Sequence, residues 1–291
     1  MTIAEIEEIF LDQMPGFYEK DEIKAIACLA VQQVCGINKS YYMLHKKQDL
    51  TLVQETALIR MLDELRFGKP LQHVLGEVDF YGLKFKVNKS VLIPRPETEE
   101  LVDWIVKSIE TERIPCANIL DIGTGSGCIP IALKKSVPGS EVSGMDISNE
   151  ALEIAQKNCA INEVEINLFH GDILDDEFRI EGEYSAENQL FDIIVSNPPY
   201  ITLAEKEQMH ANILQHEPYE ALFVPDEKPL VFYDAIINFS EKHLREGGYL
   251  FFEINEIYGA ETISLLHQKG FNAELRKDLQ GKDRMVKARI S

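Results

Sequence analysis

Asn197-Pro198-Pro199-Tyr200 follows directly on the apolar run Phe191–Ser196, and its residue types suit one kind of chemistry. The Asn197 side-chain oxygen and the Pro198 carbonyl can accept both hydrogens of a planar amide or amine nitrogen. Such a nitrogen is a poor nucleophile, so aiming its lone pair and stabilising the positive charge that grows on it are the main tasks. An activated donor then needs no strong base before attack. The two prolines stiffen the loop, and Tyr200 offers a ring face to a planar substrate. Asn197, Pro198 and Tyr200 are therefore the candidate catalytic residues, with Pro199 completing the substrate loop. Arg95 and Glu97 can shape the entrance, or equally belong to a salt-bridged linker.

A second cluster is suited to a nucleoside cofactor. Ile119-Leu120-Asp121-Ile122-Gly123-Thr124-Gly125-Ser126-Gly127 runs a hydrophobic strand into a glycine turn and then a helix, which lets backbone and helix N–H groups approach a ligand. The dinucleotide fingerprint G-x-G-x-x-G needs a glycine where Cys128 stands, so a pyrophosphate reader is disfavoured. Asp146 ends the next strand, where a carboxylate can accept two ribose hydroxyls. Gly171-Asp172 ends the third, where a side chain can reach an adenine amine. Asp121, Gly123, Thr124, Gly125, Ser126, Gly127, Asp146, Ile147, Asp172, Ile173 and Asn197 are the candidate cofactor contacts. Glycine turn, Asp146 and Asp172 in that order resemble the S-adenosylmethionine site of class I methyltransferases.

These residues need a scaffold, and the chain supplies a consistent one. After Pro115, strand-like runs at Asn118–Ile122, Glu141–Met145, Glu165–Phe169, Phe191–Ser196 and Tyr249–Ile254 alternate with helical patterns, notably Glu150–Asn158 and Tyr233–Leu244. That is the rhythm of a parallel sheet with crossover helices. Phe271–Leu275 and Met285–Ile290 predict two further strands. Residues 1–75 read as a small helical bundle: Asp21–Cys35 carries Ile23, Ile26, Ala27, Ala30 and Val34 at helical spacing before Gly36, and Val53, Leu58, Met61, Leu62 and Leu65 are expected on one stripe. Residues 76–96 read as a β-hairpin and extended linker, with strand-like runs around Gly82. Residues 97–291 form the α/β, Rossmann-like domain, opening on a helix from Glu97 to Ile105. Asp172–Glu187, with seven acids and one base, is expected as a solvated loop.

Asn-Pro-Pro-Tyr after a fourth strand is shared by methyltransferases of adenine amines and of glutamine side chains. Pro70-Leu71-Gln72-His73-Val74-Leu75-Gly76 leading to Phe80-Tyr81-Gly82, and Val91-Leu92-Ile93-Pro94-Arg95-Pro96-Glu97-Thr98-Glu99, favour glutamine. With the helical domain in front, the chain resembles the HemK/PrmC family of release factor glutamine methyltransferases over nearly its whole length. The resemblance implies N5-methylation of the glutamine in the Gly-Gly-Gln motif of class 1 peptide chain release factors, with S-adenosylmethionine as donor. It also implies that residues 1–75 help hold the factor, and that Ile173 lies near the adenine-stacking position. The long segment Asp175–Glu187 is less typical of the family.

Composition narrows the alternatives. The formal charge is −20, of which residues 1–75 carry −3. An adenine-specific DNA methyltransferase needs a basic cleft for phosphates, so direct nucleic-acid binding is not expected. A non-catalytic cofactor-binding module has no use for the Asn197–Tyr200 loop. No apolar run reaches the roughly 18 residues needed to span a bilayer, and the acidic start lacks the signature of a signal peptide; a cytoplasmic protein is expected. The five cysteines show no C-x-x-C and read as reduced, mostly buried thiols. No cluster has metal-ligand spacing, His73 and His216 read as packing or surface residues, and the single Trp104 reads as core.

Overall fold

The computed structural model describes residues 1–290 except 15, 17, 115, 176–189 and 209–215. Its described residues divide into two compact units, the first over 1–76 and the second from 77 onward, apart from 216, which goes with the first.

The first unit is helical. Helix α1 (Ile3–Gln13) opens on a capping box in which Thr2 and Glu5 exchange bonds, and α4 (Leu52–Arg66) opens on the same device built from Thr51 and Gln54. Each box satisfies two otherwise orphaned N–H groups. Between them lie α2 (Lys20–Cys35), which stops at Gly36 with φ +65°, and the short α3 (Lys39–Leu44). The five-residue α5 (Leu71–Leu75) follows. Ile6 and Phe10 of α1, Ala27 and Val31 of α2, and Leu58, Leu62 and Leu65 of α4 form the core. Val53 does not join this stripe: it is 80% exposed. Positions 58, 62 and 65 follow the i, i+4, i+7 spacing, whereas Val53 shares its face with Ala57 and Arg60. The buried Tyr42 hydroxyl donates to Glu7, which also receives Lys46.

The second unit opens on the hairpin β1 (Glu77–Phe80) and β2 (Leu83–Lys86), whose Phe80 and Phe85 enter this unit's core edge to face. Helix α6 (Pro96–Glu112) starts with proline at its first position and runs a further two turns beyond Ile105, burying Ser108 and Ile109. The sheet strands are β3 (Asn118–Ile122), β4 (Glu141–Asp146), β5 (Asn167–His170) and β6 (Phe191–Ser196), then β9 (Leu244–Glu253), β10 (Phe271–Lys277) and β11 (Asp283–Ile290). The pair β7 (Ile201–Thr202) and β8 (Phe223–Val224) stands apart. The order is β10-β11-β9-β6-β3-β4-β5, parallel throughout except for β11, which is antiparallel to both neighbours. Helices α7 (Cys128–Ser136), α8 (Asn149–Ile161), α9 (Val231–His243) and α10 (Gly259–Gln268) complete the unit.

Alternation along the strands builds two cores. Ile119, Ile193, Val195 and Phe251 face one side with Leu101, Ile105 and Trp104; Leu120, Ile122, Ile194, Leu250 and Phe252 face the other with Tyr233, Ile236 and Leu266. Strands buried on both faces read as continuous apolar runs. Several element ends differ from expectation by a few residues, β9 and β5 among them. The fifth parallel strand begins at Leu244, so that residue ends the helix expected over Tyr233–Leu244 by entering the sheet. Leu244 pairs with Phe191 and Tyr249 with Ile193, the intervening residues forming a bulge at Gly247 and Gly248. A side chain at Gly248 would meet the Asp192 carbonyl at 2.9 Å. The third strand is shifted to Asn167–His170 because its partners are Ser143–Asp146. Residues 176–187 of the acidic segment lie outside the described residues. Among the described residues no helix is long and apolar enough to cross a membrane.

Candidate active site

The first strand of the sheet, β3, has β4 on one side and β6 on the other, so the strand order reverses at its C-terminal end. A crevice at such a switch point is where open α/β sheets take ligands. Here the Gly123 and Thr124 N–H groups both donate to the Met145 carbonyl, at 2.8 and 2.9 Å. The Gly125 N–H donates to one oxygen of Asp146 at 2.7 Å, and the Ser148 N–H to the other at 2.9 Å. Asp146 is thus aimed by backbone, with lone pairs left on each oxygen. Burial pushes its carboxyl above the usual range, and the two N–H bonds oppose that shift.

Gly123, Gly125 and Gly127 all adopt positive φ. A Cβ at Gly123 or Gly125 would meet nothing within 4 Å, whereas one at Gly127 would meet Ala155 Cβ at 3.1 Å and Ile131 Cδ1 at 3.2 Å. The first two keep an edge open; the third lets α7 pack against α8. Gly144 makes room for Thr124, whose hydroxyl would lie 2.9 Å from a Cβ there. Asp121 is completely buried, and neither its oxygens nor the Thr124 hydroxyl meets hydrogen-bond geometry with any described residue. Burial lifts the Asp121 carboxyl to about 7; the adjacent Thr124 hydroxyl opposes this, and Asp146 adds to it. Ser126 is buried and its carbonyl accepts from the Asn158 side chain at 2.8 Å. Ile147 is 54% exposed. Asp172 accepts the Leu174 N–H at 2.9 Å, and Ile173 packs on the Leu120-side core.

The Asn197 loop is tied into the sheet from below. The Ser196 hydroxyl donates to the Ile122 carbonyl at 2.7 Å, joining the ends of β6 and β3. The Asn197 side-chain N–H donates to the Thr98 hydroxyl at 3.3 Å, and Thr98 donates to Glu253 at 2.6 Å. The Tyr200 hydroxyl reaches the other Glu253 oxygen at 3.3 Å. Asn255 donates to the Tyr200 carbonyl at 3.1 Å, and Tyr233 to the Glu253 backbone carbonyl at 3.2 Å. Burial pushes Glu253 up, while Thr98, Arg284 and Tyr200 hold it down. Burial, then the Glu253 charge, raises the Tyr200 phenol well above its ordinary value. Arg95 donates to Glu217 at 2.6 Å, a carboxylate that also receives the Ile93 N–H at 3.4 Å. Glu97 takes no part in that pair and instead accepts from the Gln280 side chain at 3.1 Å.

Sequence reasoning missed Thr98, Glu217, Glu253 and Asn255. Glu253 carried a signal: it is the single acid in the apolar run Tyr249–Ile254. His73 is buried, and Trp104 packs edge-on against Phe251 at 5.7 Å between centroids. The five cysteines are unpaired; Cys28 and Cys159 are buried, Cys35 and Cys128 half-buried, and Cys116 exposed. Among the described residues no group of three His, Cys, Asp or Glu side chains could hold a metal ion.

The model of the Methyltransferase small domain matches residues 102–222, and that of the PrmC N-terminal domain matches residues 18–76. The structure of a 16S rRNA methyltransferase from T. thermophilus, solved in complex with AdoMet and guanosine, superposes with TM-score 0.50 at 19% identity. The match covers 74% of this chain and 50% of that one, and shows the shared fold. The release factor glutamine methyltransferase of Flavobacterium psychrophilum is 40% identical over 289 residues, covering 99% of both chains. Its counterpart from Bacteroides thetaiotaomicron is 40% identical over 276 residues, covering 94% of this chain and 95% of its own length. At that identity over essentially the whole length, the chain belongs to the family of release factor glutamine methyltransferases.

Proposed function

We propose that this site methylates the side-chain amide nitrogen of the glutamine in the Gly-Gly-Gln motif of class 1 peptide chain release factors, using S-adenosylmethionine, in the cytoplasm. The observation that carries the reading is the Asn197 side chain at the end of β6, bonded through its N–H to Thr98 of α6, so that its oxygen remains available as an acceptor. The cofactor reading is supported by the open glycine edge, the backbone-aimed carboxylate of Asp146 and the orphaned polar atoms of Asp121 and Thr124. Asp146 would hold the ribose hydroxyls, and residues 123–127, with Asp121, the methionine portion. Ile147 and Ile173 would flank the adenine, and Asp172 would meet its amine. When bound, the cofactor supplies a methyl group already activated by a sulfonium.

The protein's own residues do the rest. Asn197 and the Pro198 carbonyl accept the two hydrogens of the glutamine amide, which fixes the direction of its lone pair and stabilises charge developing on nitrogen. Pro199 and Tyr200 wall the amide plane. No side chain has to remove a proton before attack, since the methylated nitrogen becomes acidic and sheds one afterwards. The helical first unit helps hold the factor.

Incubation with labelled cofactor and release factor, duplex DNA or no acceptor tests this directly. Label is expected only with the factor, on the glutamine of its Gly-Gly-Gln peptide by mass spectrometry. Label on any other residue, or on DNA, would overturn the reading.

A further inference from the structure

A side-chain amide clamps a nitrogen only if its oxygen, and not its NH₂, faces the substrate. The flipped amide presents two donors to the donor hydrogens of a glutamine, which is repulsive. Asn197 therefore needs something that tells its two ends apart, and its neighbours do so. Thr98 has a single hydroxyl hydrogen, and that hydrogen goes to Glu253 across 2.6 Å. What Thr98 has left to offer Asn197 is a lone pair, which accepts from the Asn197 N–H at 3.3 Å and would repel its oxygen.

We propose that the chain Asn197–Thr98–Glu253 is a directional relay that fixes the rotamer of the Asn197 amide with its oxygen toward the acceptor glutamine, making Thr98 a positioning residue. The inference rests on the reading of Asn197 as the amide acceptor. Thr98 and Glu253 are 2% and 1% exposed, so water cannot replace either partner. The second oxygen of Glu253 receives the Tyr200 hydroxyl at 3.3 Å. One carboxylate thus governs both ends of the Asn197–Tyr200 loop, through Thr98 at one end and directly at the other. A fully buried carboxylate is a costly way to fill a core, which apolar residues of similar volume would fill at least as stably. Its contacts end on the loop that handles the substrate, and that is the function the cost supports.

Single-turnover methylation of release factor by the full-length chain, at saturating cofactor, separates this from a packing role. Thr98→Val keeps the shape and loses the hydroxyl; it is expected to slow transfer by about tenfold or more while cofactor affinity stays within about twofold. Thr98→Ser restores the hydroxyl and should stay within about threefold of the parent. In an Asn197→Ala background Thr98→Val should cost nothing further, because residues acting through one another are not additive. Should the valine variant prove insoluble, Thr98→Ala carries the same expectations. A Thr98→Val rate near the parent's, or losses that multiply in the double variant, would overturn the relay. Full activity of Asn197→Ala would instead overturn the acceptor reading beneath it.

Discussion

Asp121 and Asp146 are neighbours at the ends of β3 and β4, and their different surroundings give them different behaviour. Asp146 is held by two backbone N–H groups, so its charge is supported and its remaining lone pairs are aimed. In the proposed role at the ribose, removing it costs the cofactor two charge-assisted bonds, each worth about 1.5–3 kcal/mol. Asp146→Ala should therefore weaken S-adenosylmethionine binding by at least about tenfold in calorimetry, with a smaller effect on docking of the release factor. Unchanged cofactor affinity would remove Asp146 from the ribose. Asp121 has no such support, and burial lifts its carboxyl from 3.8 to about 7. Between those two values the folded chain holds a proton that the unfolded chain has released. Stability accordingly falls as pH rises through that window. Asp121→Asn lacks the titration and buries no charge. In the cofactor-free protein the variant should be more stable than the parent at pH 8 by at least ~1 kcal/mol, the low end for an unsatisfied buried group. That advantage should shrink toward pH 5. Melting curves at the two pH values measure it, and an equal difference at both would show that Asp121 does not titrate between them.

The glycine turn shows how one element divides between an open edge, where we propose the cofactor lies, and the packing of the fold. Gly125 has positive φ and open space around it, while Gly127 has positive φ and a crowded one, with Ala155 and Ile131 inside 3.4 Å of any added Cβ. Gly125→Ala should cost chiefly the strain of a left-handed non-glycine residue, about 1–2 kcal/mol, together with cofactor affinity. Gly127→Ala adds overpacking between α7 and α8, typically a further 1–3 kcal/mol, and should lower the melting temperature more. A Gly127→Ala protein as stable as Gly125→Ala would mean that α7 and α8 give way freely. The same turn explains what was legible beforehand. Strand, glycine turn and helix are local, so β3, α7 and the ends of β4 and β6 follow from the residues themselves. What pairs across the chain is not local: Thr98 and Glu253 are 155 residues apart, and Arg95 and Glu217 are 122. The first pair emerges only when α6 and β9 pack together, the second only when the segment before β8 returns to the start of α6. Local signals also misplace ends that pairing decides, as at Leu244, where a bulge at Gly247 and Gly248 admits five more residues to the strand than the apolar run suggests. Val53 illustrates the converse, an apolar residue at near-helical spacing that points to solvent.

At the scale of the whole chain, charge and cores are divided in the same place. Residues 1–75 carry −3 of the −20, and the remaining −17 lies with every candidate cofactor residue. Every buried side chain of the helical core lies between Ile3 and Leu65, while the two cores flanking the sheet draw on residues from Phe80 onward. Each unit thus has its own hydrophobic core, the condition for a part to fold by itself. Removing residues 1–75 should then leave the sheet, the glycine turn and S-adenosylmethionine affinity largely intact, with calorimetric binding within about threefold of the full chain. Methylation of a whole release factor should fall sharply, because the proposed docking unit has gone and the Gly-Gly-Gln loop must be found without it. A short Gly-Gly-Gln peptide offers the first unit nothing to hold, so its slow methylation should decline far less. The informative quantity is the ratio of kcat/KM for factor and peptide, before and after truncation. A ratio that collapses assigns residues 1–75 to substrate docking. A ratio that stays constant while both rates fall assigns them instead to the integrity of the catalytic unit, and the docking role would have to be given up.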